Sequence, residues 1–429
     1  MGTQNLLTTQ LHDWHQQANA NMAEFGGYHM PLWYQSGAKD EHLAVITSAG
    51  LFDTSHMAVI EIKGSGSFKL LQKCFSKDLA RCIGRDSKPL KTGRSVYGVF
   101  LQEDGSVLDD SIISCVAPDH YLVVVNSGMG RPVSQHLSPH ADDSVIITDG
   151  TGQYGKIDIQ GPNSARILEK VLKDPDSALT GLGYFSFRGS MLIDGEVTVQ
   201  TTEGTPVLLS RTGYTGEFGF ELFVRSEDTQ PLWQQLLAAG REYRLTPCGL
   251  AARDSLRVGA LLPLSHQDIG GWLFGNTPWD FVLPYGVDGT SFTKDFIGAE
   301  ALNEGAQRSY TYGFAGFDPR KIPLGPDTVV STDDGEQIGI VLTCATDMAI
   351  GRVGDTIFSI ASPVESGKPA DFKPRGLSCG FVKTQRECAV GDFLILSEGK
   401  RKIKVEIRDE VRPDRTARCG MKVMRQEKD

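Results

Sequence analysis

The chain has 429 residues and lacks most of the short signatures that announce a metal, nucleotide or hydrolase site. Its eight cysteines, at 74, 82, 115, 248, 344, 379, 388 and 419, form no C-x-x-C pair and no Cys/His spacing of a zinc site. They read as reduced, mostly buried thiols of a cytoplasmic protein. There is no Walker loop, no H-E-x-x-H and no G-x-S-x-G. No apolar run is long enough to cross a bilayer, and the first residues do not resemble a secretion signal. Lys and Arg number 43 against 53 Asp and Glu, a formal charge of −10 with no basic cluster, which argues against a nucleic-acid footprint. The nine histidines are scattered. His12 and His15 share a helix face without a third ligand nearby, so no metal is expected and both are placed at the surface.

What is present is an ordinary globular composition, 40% hydrophobic and 22% charged, in a chain too long for one core. Apolar periodicity predicts helices over 8–20, from Asn163 to Lys173, from Asp228 with Pro231 in the first turn, and over Leu250 to Gly259. Short strands are expected at 57–63, 96–101, 111–116, 120–125, 144–148, 156–160, 194–201 and 205–210. Helices and strands mix without βαβ alternation, so the first 285 residues read as α+β. Past residue 300 the pattern becomes short strands split by Gly, Pro and Asp turns, near 312–316, 328–331, 338–343, 379–382, 393–396 and 401–407. That predicts a small β-barrel or jelly roll. Residues 348–373, rich in Gly, Ser and Pro, read as a long inserted loop.

Four segments carry the candidate chemistry. Gly150 to Gly155 matches G-x-G-x-x-G, but the alternating strand Lys156-Ile157-Asp158-Ile159 follows where a dinucleotide site needs a helix, so it reads as a hairpin turn. Gly105-Ser106-Val107-Leu108-Asp109-Asp110 places two carboxylates just inside the return strand of a hairpin, on opposite faces by strand alternation. One can then serve as a solvated turn residue while the other faces a pocket, and on the strand pattern alone two plain turn aspartates is the favoured reading. Arg211-Thr212-Gly213-Tyr214-Thr215-Gly216-Glu217-Phe218-Gly219-Phe220-Glu221 combines glycines that admit close approach with Glu221 opening a strand. A carboxylate there suits the two parallel N–H donors of an amino-pyrimidinone edge, and a plain glycine-rich hairpin explains it equally well. Cys248 to Ala252 lets a helix pack closely and carry Arg253 inward, while Asp254 and Arg257 fit an ion-pair network.

Together these segments resemble the tetrahydrofolate-dependent glycine cleavage T-protein (aminomethyltransferase) family. The similarity starts at Met22 to Pro31 with Tyr34, His42-Leu43-Ala44-Val45 and Gly50 to Met57. It continues in register through Gly105 to Asp110, Tyr121 to Asn126, Gln160-Gly161-Pro162, Gly213 to Glu221 and Gly249 to Arg257. The resemblance implies an α+β three-domain cloverleaf around a central folate channel. Its first domain would join 1–50 with 151–285, the second would span 51–150 and carry the catalytic Asp, and 300–429 would form the β-barrel. It further implies Asp110 as the catalytic carboxylate near the reacting folate nitrogens, with Asp109 in support. Glu221 and Arg253 would bind the pterin, and Met57, Tyr97, Asn126 and Tyr214 would line the folate site.

The departures concern the donor more than the folate. Val258 is followed by Gly259 where an acidic residue is usual, and the usual Tyr-Gly-Asn-Asp-Ile reads Ser265-His266-Gln267-Asp268-Ile269. The aromatic tail of the T-protein is replaced by Ile407 to Thr416. The leading expectation is transfer of an aminomethyl group from a lipoylated H-protein to folate, with ammonia release. A demethylase of a small N-, O- or S-methyl compound is the alternative. A non-catalytic iron–sulfur assembly factor is disfavoured by Gly213, where that branch carries cysteine, and by Asp110.

Overall fold

The alternation of Lys156-Ile157-Asp158-Ile159-Gln160 defines the centre of the molecule. In this computed structural model, which describes residues 6–191, 198–305, 309–325 and 327–425, the strand Tyr154–Gln160 lies inside a six-stranded sheet. The order is Phe187–Arg188, Leu208–Ser210, Gly219–Arg225, Tyr154–Gln160, Gly50–Asp53, Thr246–Pro247. Ile157 and Ile159 point to one face and pack with Leu222, Val224 and the helices Ser164–Val171 and Thr229–Ala239. Lys156, Asp158 and Gln160 point to the other face, yet all three are buried. A buried charged sheet face must find its partners within the protein, and the candidate residues Glu221 and Arg253 meet it there.

A second sheet of five strands runs Arg94–Leu101, Val107–Ala117, His120–Val125, Ala58–Lys63, Ile146–Asp149. Ile60, Ile62, Phe100, Ile113, Val123 and Val125 form its core with the helices Ser67–Cys74 and Gly130–Leu137. The Asp-bearing hairpin is Arg94–Leu101 with Val107–Ala117, as the hydrophobic pattern predicts, and a register shift sits just ahead of the Asp pair. The opposite face of this hairpin (Val99, Leu101 and Val107) packs on Phe274, Trp279 and Phe381. Beyond Tyr310 six strands close into a barrel, ordered Tyr310–Gly316, Leu377–Thr384, Gln337–Asp347, Val329–Ser331, Phe393–Glu398, Arg401–Ile407. The mixed α+β class with a C-terminal barrel is therefore observed.

Several local expectations are corrected. The G-x-G-x-x-G turn is not a hairpin: Ile146–Asp149 pairs with Ala58–Lys63 in one sheet, and Tyr154–Gln160 belongs to the other. The turn is a crossover between sheets. Residues 194–197 of the expected strand 194–201 lie outside the described residues, and Gln200 and Thr201 make only isolated bridges. The 348–373 segment is not one loop, because Ile350–Val353 and Thr356–Ser359 form a hairpin. Its turn contains Gly354 at φ +60°, which glycine adopts without strain. All eight cysteines are free, four of them buried and four partly exposed.

Candidate active site

Asp109 and Asp110 do not divide into a solvated and a pocket-facing residue. Asp109 is fully buried. Its Oδ2 accepts the Asn126 backbone N–H at 2.9 Å, and its Oδ1 accepts Asn126 Nδ2 at 2.7 Å and Ser265 Oγ at 2.9 Å. The same Asn126 Nδ2 donates to Asp110 Oδ1 at 2.6 Å, and the Tyr97 hydroxyl donates to Asp110 Oδ2 at 2.8 Å. One amide group, with two N–H bonds, thus bridges two carboxylates of like sign. Burial, and then the neighbouring Asp110, pushes the Asp109 carboxyl up to about 7. Burial also raises Asp110, against the hydrogen bonds from Tyr97 and Asn126. Tyr97 itself is held well above its ordinary range by burial and by Asp110. The cluster is a pair of carboxyls able to exchange a proton near neutrality.

The charged face of the central strand forms the second part. In the sheet register Glu221 lies directly opposite Asp158, a pairing of like charges that is unfavourable without a cation. Lys156 supplies it, donating to Asp158 Oδ1 at 2.7 Å and to Glu221 Oε1 at 2.5 Å. Arg253 Nη1 donates to Asp158 Oδ2 at 2.8 Å, and Thr54 Oγ1 donates to Asp158 Oδ1 at 2.8 Å. Burial alone would raise the Asp158 carboxyl, but Lys156 and Arg253 outweigh it and hold it low. The remaining Glu221 oxygen, Oε2, accepts the Thr212 hydroxyl. Arg253 lies 4.9 Å above the Tyr214 ring, and the Tyr214 hydroxyl donates to Pro263 O, so Tyr214 joins this network to the loop beside the Asp pair.

The predicted site residues therefore fall into two linked groups. Asp110, Tyr97 and Asn126 are in direct hydrogen-bonded contact, while Glu221 and Arg253 meet through Lys156 and Asp158. Met57 packs on the apolar cluster of Val59, Leu122, Phe187 and Phe223, and Lys156 Nζ lies 5.6 Å from the Phe223 ring. Arg253 does not pair with Asp254; Arg257 takes Asp254 at 2.8 Å and also binds buried Asp268, a purely structural arrangement. The sequence reading assigned Lys156, Asp158 and His56 no role in the site, and it singled out Ser265 and His266 only as departures bearing on the donor. His56 is buried, its Nδ1 has no hydrogen-bond partner among the described residues, and burial takes the imidazole down to about 4. His15, expected at the surface, is also buried. Its Nε2 contacts Asp53 Oδ2 at 2.9 Å and its Nδ1 contacts the Tyr34 hydroxyl at 2.8 Å.

The glycine-rich loop works differently from expectation. A Cβ at Gly213 would lie 2.2 Å from Gln160 Oε1, so the close approach is to the protein's own glutamine, and a cysteine does not fit there without displacing it. Arg412 Nε binds Glu217 at 3.1 Å, and Thr416 Oγ1 binds Glu217 at 2.6 Å, fastening the loop from behind. Arg412 also reaches Asp347 Oδ2 at 2.6 Å, and His42 Nε2 contacts Asp347 Oδ1 at 2.9 Å. This buried acid from the barrel occupies the space of a side chain at Gly259, where a Cβ would lie 1.9 Å from Asp347 Oδ2.

Residues 11–275 match the family model of the GCVT N-terminal domain, and that stretch contains both groups of the site. The chain belongs to the GCVT family. The aminomethyltransferase of Geobacillus kaustophilus is 35% identical over 340 residues, covering 79% of this chain and 86% of that protein. That of Anoxybacillus flavithermus is 33% identical, covering 88% of this chain and 98% of the relative. The glycine cleavage system aminomethyltransferase T of Bartonella henselae superposes with a TM-score of 0.71 at 25% identity, over 94% of this chain and 97% of that one. Similarity to a family member thus extends through the barrel.

Proposed function

We propose that this protein is a tetrahydrofolate-dependent aminomethyltransferase that moves an aminomethyl carbon from a lipoyl-carrying H-protein to folate and releases ammonia. The observation carrying the reading is the pairing of an Asp109–Asn126–Asp110 cluster with a buried Glu221–Lys156–Asp158–Arg253 network, linked through Tyr214. The residues fit a folate. Each Glu221 oxygen accepts one bond from the protein, leaving two acceptor positions of the carboxylate for the parallel N–H donors of a pterin edge. The unpartnered His56 Nδ1 supports a polar ligand at the same end.

When bound, tetrahydrofolate supplies the nucleophilic amine that takes up the carbon. Lys156 and Thr212 hold the Glu221 carboxylate in one orientation, which fixes the ligand's long axis. At the other end Asp110 Oδ2 is fixed by Tyr97 and Oδ1 by Asn126. With proton affinities raised by burial, the pair takes up or gives a proton near neutral pH. Its negative charge stabilises positive charge that develops as the amine departs.

A second reading keeps the folate and replaces the donor with a small N-, O- or S-methyl compound; the altered Ser265-His266-Gln267 loop beside Asp109 supports it. The free cysteines support a cytoplasmic location. The deciding experiment supplies tetrahydrofolate with aminomethyl-loaded H-protein, dimethylglycine, dimethylsulfoniopropionate or methoxyaromatics. Ammonia release with H-protein alone is expected, and turnover of a methyl donor without ammonia would replace the first reading by the second.

A further inference from the structure

The loop after helix Leu250–Gly259 sets an imidazole against the carboxylate pair. His266 has φ +63°, a left-handed conformation that glycine takes freely and other residues take at a cost. The loop is built to hold it there. The Leu264 N–H donates to Asp268 Oδ2 at 2.9 Å, the Asp268 N–H donates back to Leu264 O at 2.8 Å, and Asp268 is anchored by Arg257 and Thr343. Strain maintained by a buried ion pair points to use of the side chain. His266 Nε2 lies 3.8 Å from Asp109 Oδ1, within ion-pair distance of an oxygen that already accepts from Asn126 and Ser265. Half of its side chain is in solvent, whereas Asp109 is fully buried.

The charged and titratable groups around this contact are few. Asp109 and Asp110 come from one strand, Tyr97 from its neighbour and Tyr214 from the glycine-rich loop; Asp268, on the histidine's own loop, is paired with Arg257. Asp109's hydrogen-bond partners, Asn126 and Ser265, do not titrate near neutrality. Of the charged groups that meet Asp109, His266 has half of its side chain in solvent.

We propose that His266 is a positioning residue that exchanges the proton of the Asp109–Asn126–Asp110 cluster with solvent while the site is filled. The inference rests on this cluster being the catalytic site. In the step itself, the imidazolium Nε2–H passes its proton to the Asp109 carboxylate, leaving neutral imidazole and a neutral carboxyl. The ring then takes a proton from solvent or buffer, and no other bond changes. The reverse sequence removes a proton from the pair.

The test is the variant His266→Gly, which suits the left-handed position and so retains the fold. Its melting temperature should equal or exceed that of the parent, and its affinity for tetrahydrofolate should stay within about twofold. Its kcat should fall about tenfold or more near neutral pH, with a shifted pH profile, and free imidazole should restore it. A wild-type kcat and profile, or a loss that imidazole does not rescue, overturns the proposal. In parallel, the Asp109 carboxyl is titrated by carbon-13 NMR in folate-saturated protein. Its midpoint should move upward in the variant, through loss of a facing cation, and an unmoved midpoint contradicts the proposal. If the parent turns over no donor, the functional reading fails, while this titration still decides the place of His266.

Discussion

The substitution Asp109→Asn separates the demands of stability from those of chemistry. Asp109 is fully buried, and its carboxyl is pushed up to about 7, first by burial and then by Asp110. In the unfolded chain an aspartate releases its proton near pH ~3.9. Between about 4 and 7 the folded state therefore holds a proton that the unfolded state has lost. Stability from this group is full below about pH 4, declines as pH rises to about 7, and stays low above it. Each tenfold difference in proton affinity is about 1.4 kcal/mol, so the decline amounts to a few kcal/mol. Asparagine has no charge to bury and carries no such slope. Against this, both Asp109 oxygens accept Asn126 donors, and one asparagine NH2 must now face a donor, at a cost of about 1–3 kcal/mol. The variant should thus be less stable than the parent near pH 4.5 and equal or more stable at pH 8. Calorimetric melting at both pH values reads the change directly. Parallel pH dependences for the two proteins would refute the assignment of Asp109 as a carboxyl buried at a cost.

Replacement of Glu221 by Ala removes the carboxylate that faces the proposed pterin and leaves Lys156 one partner fewer. Folate affinity by titration calorimetry should drop about tenfold or more, the worth of charge-assisted bonds, and unchanged affinity would remove Glu221 from the site. Gly259→Ala forces a Cβ to within 1.9 Å of Asp347 Oδ2 and 2.7 Å of Arg412 Nη1. Displacing that buried pair should destabilise by about 3 kcal/mol, seen as a fall in melting temperature, and an unaltered melt would show that the pair does not clasp barrel to helix.

Much of this architecture was readable from local pattern. Helix Leu250–Gly259 lies where the predicted helix does, because its apolar spacing and the small residues before it are local signals. The hairpin ahead of Asp109 and the barrel strands follow the same logic, with turn residues bounding alternating runs. What escaped depends on contacts distant in sequence. Lys156 and Asp158 look like the polar side of an edge strand, and only the sheet order places Asp158 between Phe52 and Glu221. His15 reads as a surface residue until Asp53, 38 positions away, closes on it. The Asp109 burial follows from Ser265 and Asn126 arriving over the hairpin, which strand alternation alone does not contain. The hairpin at Ile350–Ser359 was masked by the Gly, Ser and Pro that surround it and by strands, Ile350–Val353 and Thr356–Ser359, that do not alternate apolar and polar residues, although they pair in regular register.

The central claim is that Asp110 performs chemistry on a folate held elsewhere by Glu221. Its most direct measurement is tetrahydrofolate-dependent ammonia release from aminomethyl-loaded H-protein, comparing the parent with Asp110→Asn, alongside folate affinity for both. The account predicts unchanged folate affinity within about twofold and a rate reduced about 100-fold or more. Asp110→Asn turning over at the parent rate would contradict it.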